Sequence, residues 1–227
     1  MNKVIITQSN YIPWKGYFTT MRKATHLVVY DDMQYTKRDW RNRNKIITPN
    51  GPNWLSIPVK VSGKFNQKIN ETEISDINWG KEHWNLIQIN YKKSPYFKEY
   101  GEHFKELYLN SKLDKLTDIN IMFLKRCMDL LDIKIDVIDS REFELVGDKT
   151  EKLVNVCKDL NAVEYFTGPA AKNYMDESLF EKENIKVSYY DLTNFPEYKQ
   201  QWDGFEHGVS ILDMFFNLGP NTIKYFN

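Results

Sequence analysis

Charge imbalance, cysteine, long apolar runs and glycine-rich phosphate loops are what this sequence has least of. Lysine plus arginine and aspartate plus glutamate each number 31, so the formal charge is zero. General nucleic-acid binders and proteins that adhere to membrane surfaces usually carry a basic excess, which argues against both classes. The 2 cysteines, Cys127 and Cys157, sit in apolar helix-like patterns. They read as reduced core residues of a cytoplasmic protein, not as a disulfide framework. The 4 histidines, His26, His83, His103 and His207, are far apart. They show no His-x-His or His-x-x-x-His pairing, so no metal site is expected. No apolar run nears the roughly 20 residues that span a bilayer. Met1-Asn2-Lys3 leads into only three apolar residues, so no signal peptide is read there. Neither a P-loop nor a Gly-x-Ser-x-Gly elbow is present.

What the chain does have is an apolar and aromatic content of 41% and 15% over 227 residues, enough for a packed core. Val4-Ile5-Ile6 and Leu27-Val28-Val29-Tyr30 are β-branched runs that predict buried strands. Between them Pro13 pre-sets a helix start, and Trp14, Tyr17, Phe18 and Met21 recur at helical spacing. Gly16 inside that helix costs about 1 kcal/mol relative to alanine, which calls for a close neighbour at the backbone. The opening strand–helix–strand is the unit of a parallel sheet. Asn50-Gly51 predicts a hairpin between Lys45–Thr48 and Trp54–Val59. Helices are expected over 79–91, 96–109 and 116–131, the last capped by Asp114 or Thr117. Strands at 135–138, 163–166 and 186–190 then alternate with helices at 150–160 (capped by Asp148 or Thr150), from 167 to Phe180, and 210–217. The expected fold is α/β over 1–227 as one domain. Its sheet is mostly parallel and Rossmann-like, with a nucleotidylyltransferase-like arrangement as a variant. A β-hairpin and a helical segment at 79–131 are inserted in it.

The most polar stretch is Asp31 to Asn44. It holds four cations (Lys37, Arg38, Arg41, Arg43), three carboxylates (Asp31, Asp32, Asp39), the amides Gln34 and Asn42, and the aromatics Tyr35 and Trp40. Guanidinium forks match carboxylate and phosphate, so the stretch suits an anionic, hydroxylated ligand; a solvated, salt-bridged loop accounts for it equally. Ligands of parallel sheets gather beyond the carboxyl ends of the strands. Both Ser9 to Pro13 and Asp31 to Asn44 lie at such ends and should face one crevice. Thr167-Gly168, with Lys172 nearby, forms a strand-to-helix turn that can hold a phosphate or can be an ordinary tight turn. His207, in a Gly-flanked loop, is either a general base in a cleft or a surface histidine. Ser210 reads as an N-cap with Asp213 completing a capping-box-like pattern. Tyr198, Gln200, Gln201 and Trp202 form a second aromatic-plus-amide patch, equally suited to a sugar, a nucleobase or a packed turn.

Several stretches resemble the WbqC-like proteins. The resemblance rests on Gln8-Ser9-Asn10-Tyr11-Ile12-Pro13-Trp14-Lys15-Gly16-Tyr17-Phe18 and on Asp31 to Asn44 with Thr48-Pro49-Asn50-Gly51. Lys149-Thr150, Tyr165-Phe166-Thr167-Gly168 with Tyr174, Val209 to Asp213 and Asn217 to Pro220 follow in order. The family's opening usually reads His-Gln-Pro-x-Tyr; here Thr7 and Ser9 replace that His and Pro. The resemblance implies a place in surface-polysaccharide (O-antigen) or modified-sugar biosynthesis. It also implies a transferase that moves a small acyl or aminoacyl group onto the amine of a nucleotide-linked sugar. No cofactor is expected, and an acyl carrier protein or acyl-CoA would be the donor. On this reading Arg38, Arg41 and Arg43 grip phosphate, and Tyr11, Trp14 and Trp40 stack on sugar or base. Asn10, Gln34, Lys37, Asn42, Thr167, Gly168 and Lys172 complete the binding set, while Asp31 or Asp32, with His207, takes the amine's proton. A more distant similarity is to nucleotidylyltransferase-like folds, where Gly16-Tyr17 stands in the place of a Gly-His pair. A nucleotide-dependent ligase and a non-catalytic sugar-binding or scaffold protein are the alternatives.

Overall fold

The computed structural model describes residues 1–193 and 195–226. Five parallel strands make the sheet: β1 (Asn2–Thr7), β2 (His26–Val29), β5 (Asp136–Asp139), β6 (Ala162–Thr167) and β7 (Lys186–Tyr189). The separate antiparallel hairpin pairs β3 (Arg43–Thr48) with β4 (Gly51–Ser56). Sheet order is β5-β2-β1-β6-β7. Counting only sheet strands along the chain, that is 3-2-1-4-5, the Rossmann-like order, which reverses between β1 and β6. Such a reversal leaves a crevice beyond the carboxyl ends of the two strands.

Helices cover both faces, which is why the strands are apolar on both sides. Val4, Ile6, Val28 and Tyr165 pack with Leu153, Cys157 and Phe180 of α5 (Lys149–Asp159) and α6 (Glu177–Lys182). The alternate residues Ile5, Leu27 and Phe166 face the other way. There they meet Phe18 and Met21 of α1 (Lys15–Met21), Phe123 of α4 (Leu116–Leu130) and Phe215 of α7 (Leu212–Leu218). Between the hairpin and β5 the chain runs through α2 (Trp79–Tyr91), α3 (Phe97–Asn110) and α4. Cys127 and Cys157 are free and buried. Among the described residues no helix is long and apolar enough to cross a membrane.

Local chemistry departs from expectation at three helix ends. The helix expected from 167 to Phe180 is broken into a short turn at Pro169–Asn173 and α6. Asp176 accepts from Ser178 N at 3.0 Å and starts α6 afresh, while Met175 turns into the core. Helix α4 is capped by neither Asp114 nor Thr117; Lys115 occupies its N-cap, and the Thr117 hydroxyl is drawn 2.6 Å from Asp31. At α7 the Ser210 hydroxyl accepts from Leu212 N at 3.2 Å. Asp213 does not complete a capping box there, because its carboxylate is turned inward. Helix α5 follows expectation, with Asp148 and Glu151 forming a reciprocal capping box.

Candidate functional site

Three backbone segments meet beyond the carboxyl end of β1. They are Asn10–Trp14, Trp40–Lys45 and Gly208–Ile211. Tyr11 N donates to Trp40 O at 3.0 Å, Ser210 N to Lys45 O at 2.9 Å, and Ile211 N to Pro13 O at 2.9 Å. Asn44 locks the joint: its Nδ2 donates to Tyr11 O at 3.1 Å and to Ile12 O at 2.8 Å. Ile12 needs that lock, since its φ of 37° is a left-handed conformation that a β-branched residue resists. Together these segments enclose a cleft of about 360 Å³ lined by Asn10, Pro13, Trp14, Trp40, Asn44 and Gly208. The close neighbour that Gly16 requires is the Trp14 indole, which folds back so that a Cβ on Gly16 would overlap it.

Beneath the cleft lies a buried polar hub. Asp31 is 1% exposed and accepts from Ser9 N at 2.8 Å, Ser9 Oγ at 2.6 Å and Thr117 Oγ at 2.6 Å. Burial pushes its pKa up, against the pull of the Ser9 and Thr117 bonds and the Arg41 charge. Asn120 Nδ2 bridges Ser9 Oγ at 2.8 Å and Arg41 O at 2.9 Å, and so ties α4 to the hub. Arg41 Nη1 donates to Ser9 O at 3.2 Å and to the Asn10 side-chain oxygen. Its Nε, like that of Arg43, is buried without a hydrogen-bond partner among the described residues. At the rim the Arg43 guanidinium lies 4.0 Å from the Trp54 ring centre, and Trp54 is 5.3 Å from Trp40, which is 42% exposed.

Trp14 also lines a second cleft, of about 400 Å³, with Leu192, Phe195, Glu197 and His207. Behind it sits a residue that sequence reasoning passed over. Lys15 is 3% exposed, and its Nζ lies 3.1 Å from His207 Nδ1. The rings of Phe205, Phe195 and Tyr198 surround that ammonium at 5.1, 5.5 and 5.6 Å. Burial lowers the Lys15 pKa, opposed by the charges of Asp213, Glu197 and Glu206. Deeper still, Asp213 accepts from Tyr198 Oη at 2.6 Å, Tyr91 Oη at 2.8 Å and Gln200 Nε2 at 3.0 Å. Gln200 also accepts from Glu206 N at 2.9 Å, which fixes the loop leading to His207. Tyr198 and Gln200 therefore belong to packing. A lysine among aromatics in Tyr11-Ile-Pro-Trp-Lys15-Gly-Tyr-Phe18 was the available signal for Lys15.

The other expected residues scatter. Asn10, Trp14, Trp40 and Arg41 come together at the first cleft, with Arg43 at its rim. Tyr11 does not reach a ligand: it is fully buried, with its hydroxyl 2.8 Å from both His83 Nδ1 and Tyr108 Oη. Asn42 is buried too and donates to Ile57 O at 2.9 Å. Asp32 turns away to Lys68 at 3.0 Å and Ser140 at 2.7 Å. Burial alone would raise its pKa, but those bonds, the Lys68 charge and a bond from Asn70 together outweigh it and hold the carboxyl low. Lys37 and Arg38 are exposed, and Gln34 Nε2 donates to Phe65 O at 2.9 Å. Thr167 ends β6, beside β1, with Gly168 just after it, and Tyr190 N donates to Thr167 O at 3.1 Å. Lys172 lies 4.5 Å from the Tyr189 ring centre, on the outer strand.

An all-parallel sheet of this order, with an indole- and amide-lined cleft beyond the carboxyl end of β1, defines a Rossmann-like α/β protein. The chain belongs to the WbqC-like protein family, whose model matches residues 8–225. It is 43% identical over 228 residues, 99% of each chain, to an uncharacterized protein, Rv1507c, of Mycobacterium tuberculosis. No solved structure matches it.

Proposed function

We propose that this protein transfers a small acyl or aminoacyl group onto the amine of a nucleotide-linked amino sugar, in the cytoplasmic synthesis of a surface polysaccharide or modified sugar. One observation carries the reading. The cleft beyond the carboxyl end of β1 is walled by two indoles and two amides, with guanidinium groups beneath and at its rim. Aromatic faces suit a sugar ring or a nucleobase, and guanidinium groups suit a diphosphate. The Trp40 indole stacks on the ligand, while Arg43 meets its phosphates. Asn10 and Arg41 act as one polar unit on the floor. Asp31, sealed by Ser9 and Thr117, positions that floor and takes no proton. His207, at the wall of the adjoining cleft, is the titratable group placed to act on the reacting atoms.

Calorimetric titration with UDP- and dTDP-linked amino sugars is the first test, followed by transfer assays with short-chain acyl thioesters. Trp40→Ala and Arg43→Ala, each folded, are expected to weaken nucleotide-sugar binding about tenfold, roughly one stacking or charge-assisted contact each. Full affinity and turnover in both variants would sink the assignment. Tight binding with no transfer from any thioester would leave a sugar-nucleotide binding protein.

A further inference from the structure

The second cleft and the buried lysine behind it have no role in binding a sugar nucleotide. They share His207. An ammonium has three donors and no acceptor, so a charged Lys15 can only donate to His207 Nδ1. The neutral imidazole must then carry its hydrogen on Nε2. Three ring faces around Nζ favour the charged amine, as do the carboxylates of Glu197, Glu206 and Asp213; burial acts against them. Phe205 stands edge-on to the His207 ring, 4.5 Å between centres and 90° between planes, and fixes its orientation. The imidazole is exposed on its far side, where it lines the cleft with Trp14, Leu192 and Phe195. A fixed N–H in a cleft that Trp14, Leu192 and Phe195 line, with the Glu197 carboxylate also in its wall, suits a short, uncharged guest ending in a carbonyl oxygen.

We propose that this second cleft is the acyl-donor site, taking the acyl end of a thioester, with Lys15 as the positioning residue that makes His207 a hydrogen-bond donor to the acyl carbonyl. The assignment rests on the acyl-transfer reading and seats the two substrates in clefts that share Trp14, so the amine and the carbonyl must meet past the edge of its ring. The sugar amine in the first cleft attacks the carbonyl carbon. The new C–N bond forms as the C–S bond breaks, and the nitrogen's surplus proton ends on the departing thiolate sulfur. His207 Nε2–H stabilises the oxygen that becomes negative in between and is not itself consumed.

The test is long-range proton–nitrogen NMR of the histidine rings, with S-acetyl-N-acetylcysteamine as the probe. In the wild-type protein at pH 7.5 His207 should show a bare Nδ1 and a protonated Nε2. Lys15→Met, which fills the aromatic cage without donating, should release that preference, and the probe should shift His207 Nε2 and the Trp14 indole together. His207→Phe, a change on an exposed loop, should weaken the probe about fivefold, the worth of one neutral hydrogen bond. A proton on Nδ1 in the wild type, an unchanged tautomer in Lys15→Met, or probe shifts confined to other residues would overturn the proposal. The two readings fail separately. Probe binding at His207 without transfer to any nucleotide sugar removes the transferase alone. Transfer that is indifferent to both Lys15→Met and His207→Phe removes the donor site alone.

Discussion

Asp213, like Asp31, is a buried carboxylate that gathers three hydrogen bonds. It is 1% exposed, and three donors converge on it from α2 and from the loop before His207. Burial raises its pKa, and the bonds from Tyr198, Tyr91 and Gln200 act the other way. Asp213→Leu would strand those donors at a cost of about 1–3 kcal/mol for each left unsatisfied. It should therefore fold poorly, whereas Asp213→Asn should lose only part of that stability in urea titrations. His83 offers a cleaner reading by pH. Its Nε2 lies 3.2 Å from Ser56 O and must donate, so Nδ1 accepts from Tyr11. Burial pushes its pKa down from 6.5 to about 4. Above pH 6.5 the ring is neutral folded or unfolded. As pH falls below that, the unfolded chain takes a proton that the folded one refuses. Stability should drop by up to about 3 kcal/mol, levelling off below pH 4. His83→Gln should remove this component, and identical slopes between pH 6.5 and 4.5 in the two proteins would refute it.

The strands and longer helices could be read from their residues because burial writes its period directly into side-chain type. Val4-Ile5-Ile6 had to be interior, and the α2 and α4 patterns gave their ends within a residue. Capping was legible at Asp148, where side chain and backbone satisfy each other locally. It was illegible at Thr117 and Asp213, whose side chains answer to partners 86 and 15 residues away. The same limit split the Asp31–Asn44 stretch. Its composition announced polar work, but only the fold decides which groups face inward to Ser9, Ile57 or Ser140 and which stay at the cleft. Lys15 was missed for that reason: a lone lysine reads as solvated until three rings from other segments close round it. Helix α1 supplies a test at this scale. Gly16→Ala should raise helix propensity by about 1 kcal/mol, yet it drives a methyl into the Trp14 indole. The expected result is a displaced indole, seen as a shifted tryptophan emission, and weaker binding in both clefts. Unchanged emission would show the indole free to move aside.

At the scale of the whole molecule, sheet and hairpin divide the work. The sheet places Asn10, just past the end of β1, and Thr167, the last residue of β6, on either side of the reversal. The hairpin and its approach bring Trp40, Asn44 and Trp54 over the sheet's edge and form the outer wall. Ile46, Ile47 and Leu55 anchor the hairpin in the main core, and Asn44 ties it to the backbone of Tyr11 and Ile12. Asn44→Ala should release Ile12 from its left-handed backbone and open the first cleft. Amide exchange of residues 10–14 and 40–46 should then accelerate at least tenfold, while the strands β1 and β6 stay protected.

The Trp14 indole, as a wall held in common, binds the two clefts into one thermodynamic system. Any ligand that prefers one setting of that ring changes the population available to a ligand on its other face, and the effect is equal in both directions. A first substrate that stills the indole spares the second substrate that ordering cost. If the proposed transferase reading holds, the factor by which a sugar nucleotide sharpens the affinity for a thioester equals the factor measured with the order of addition reversed.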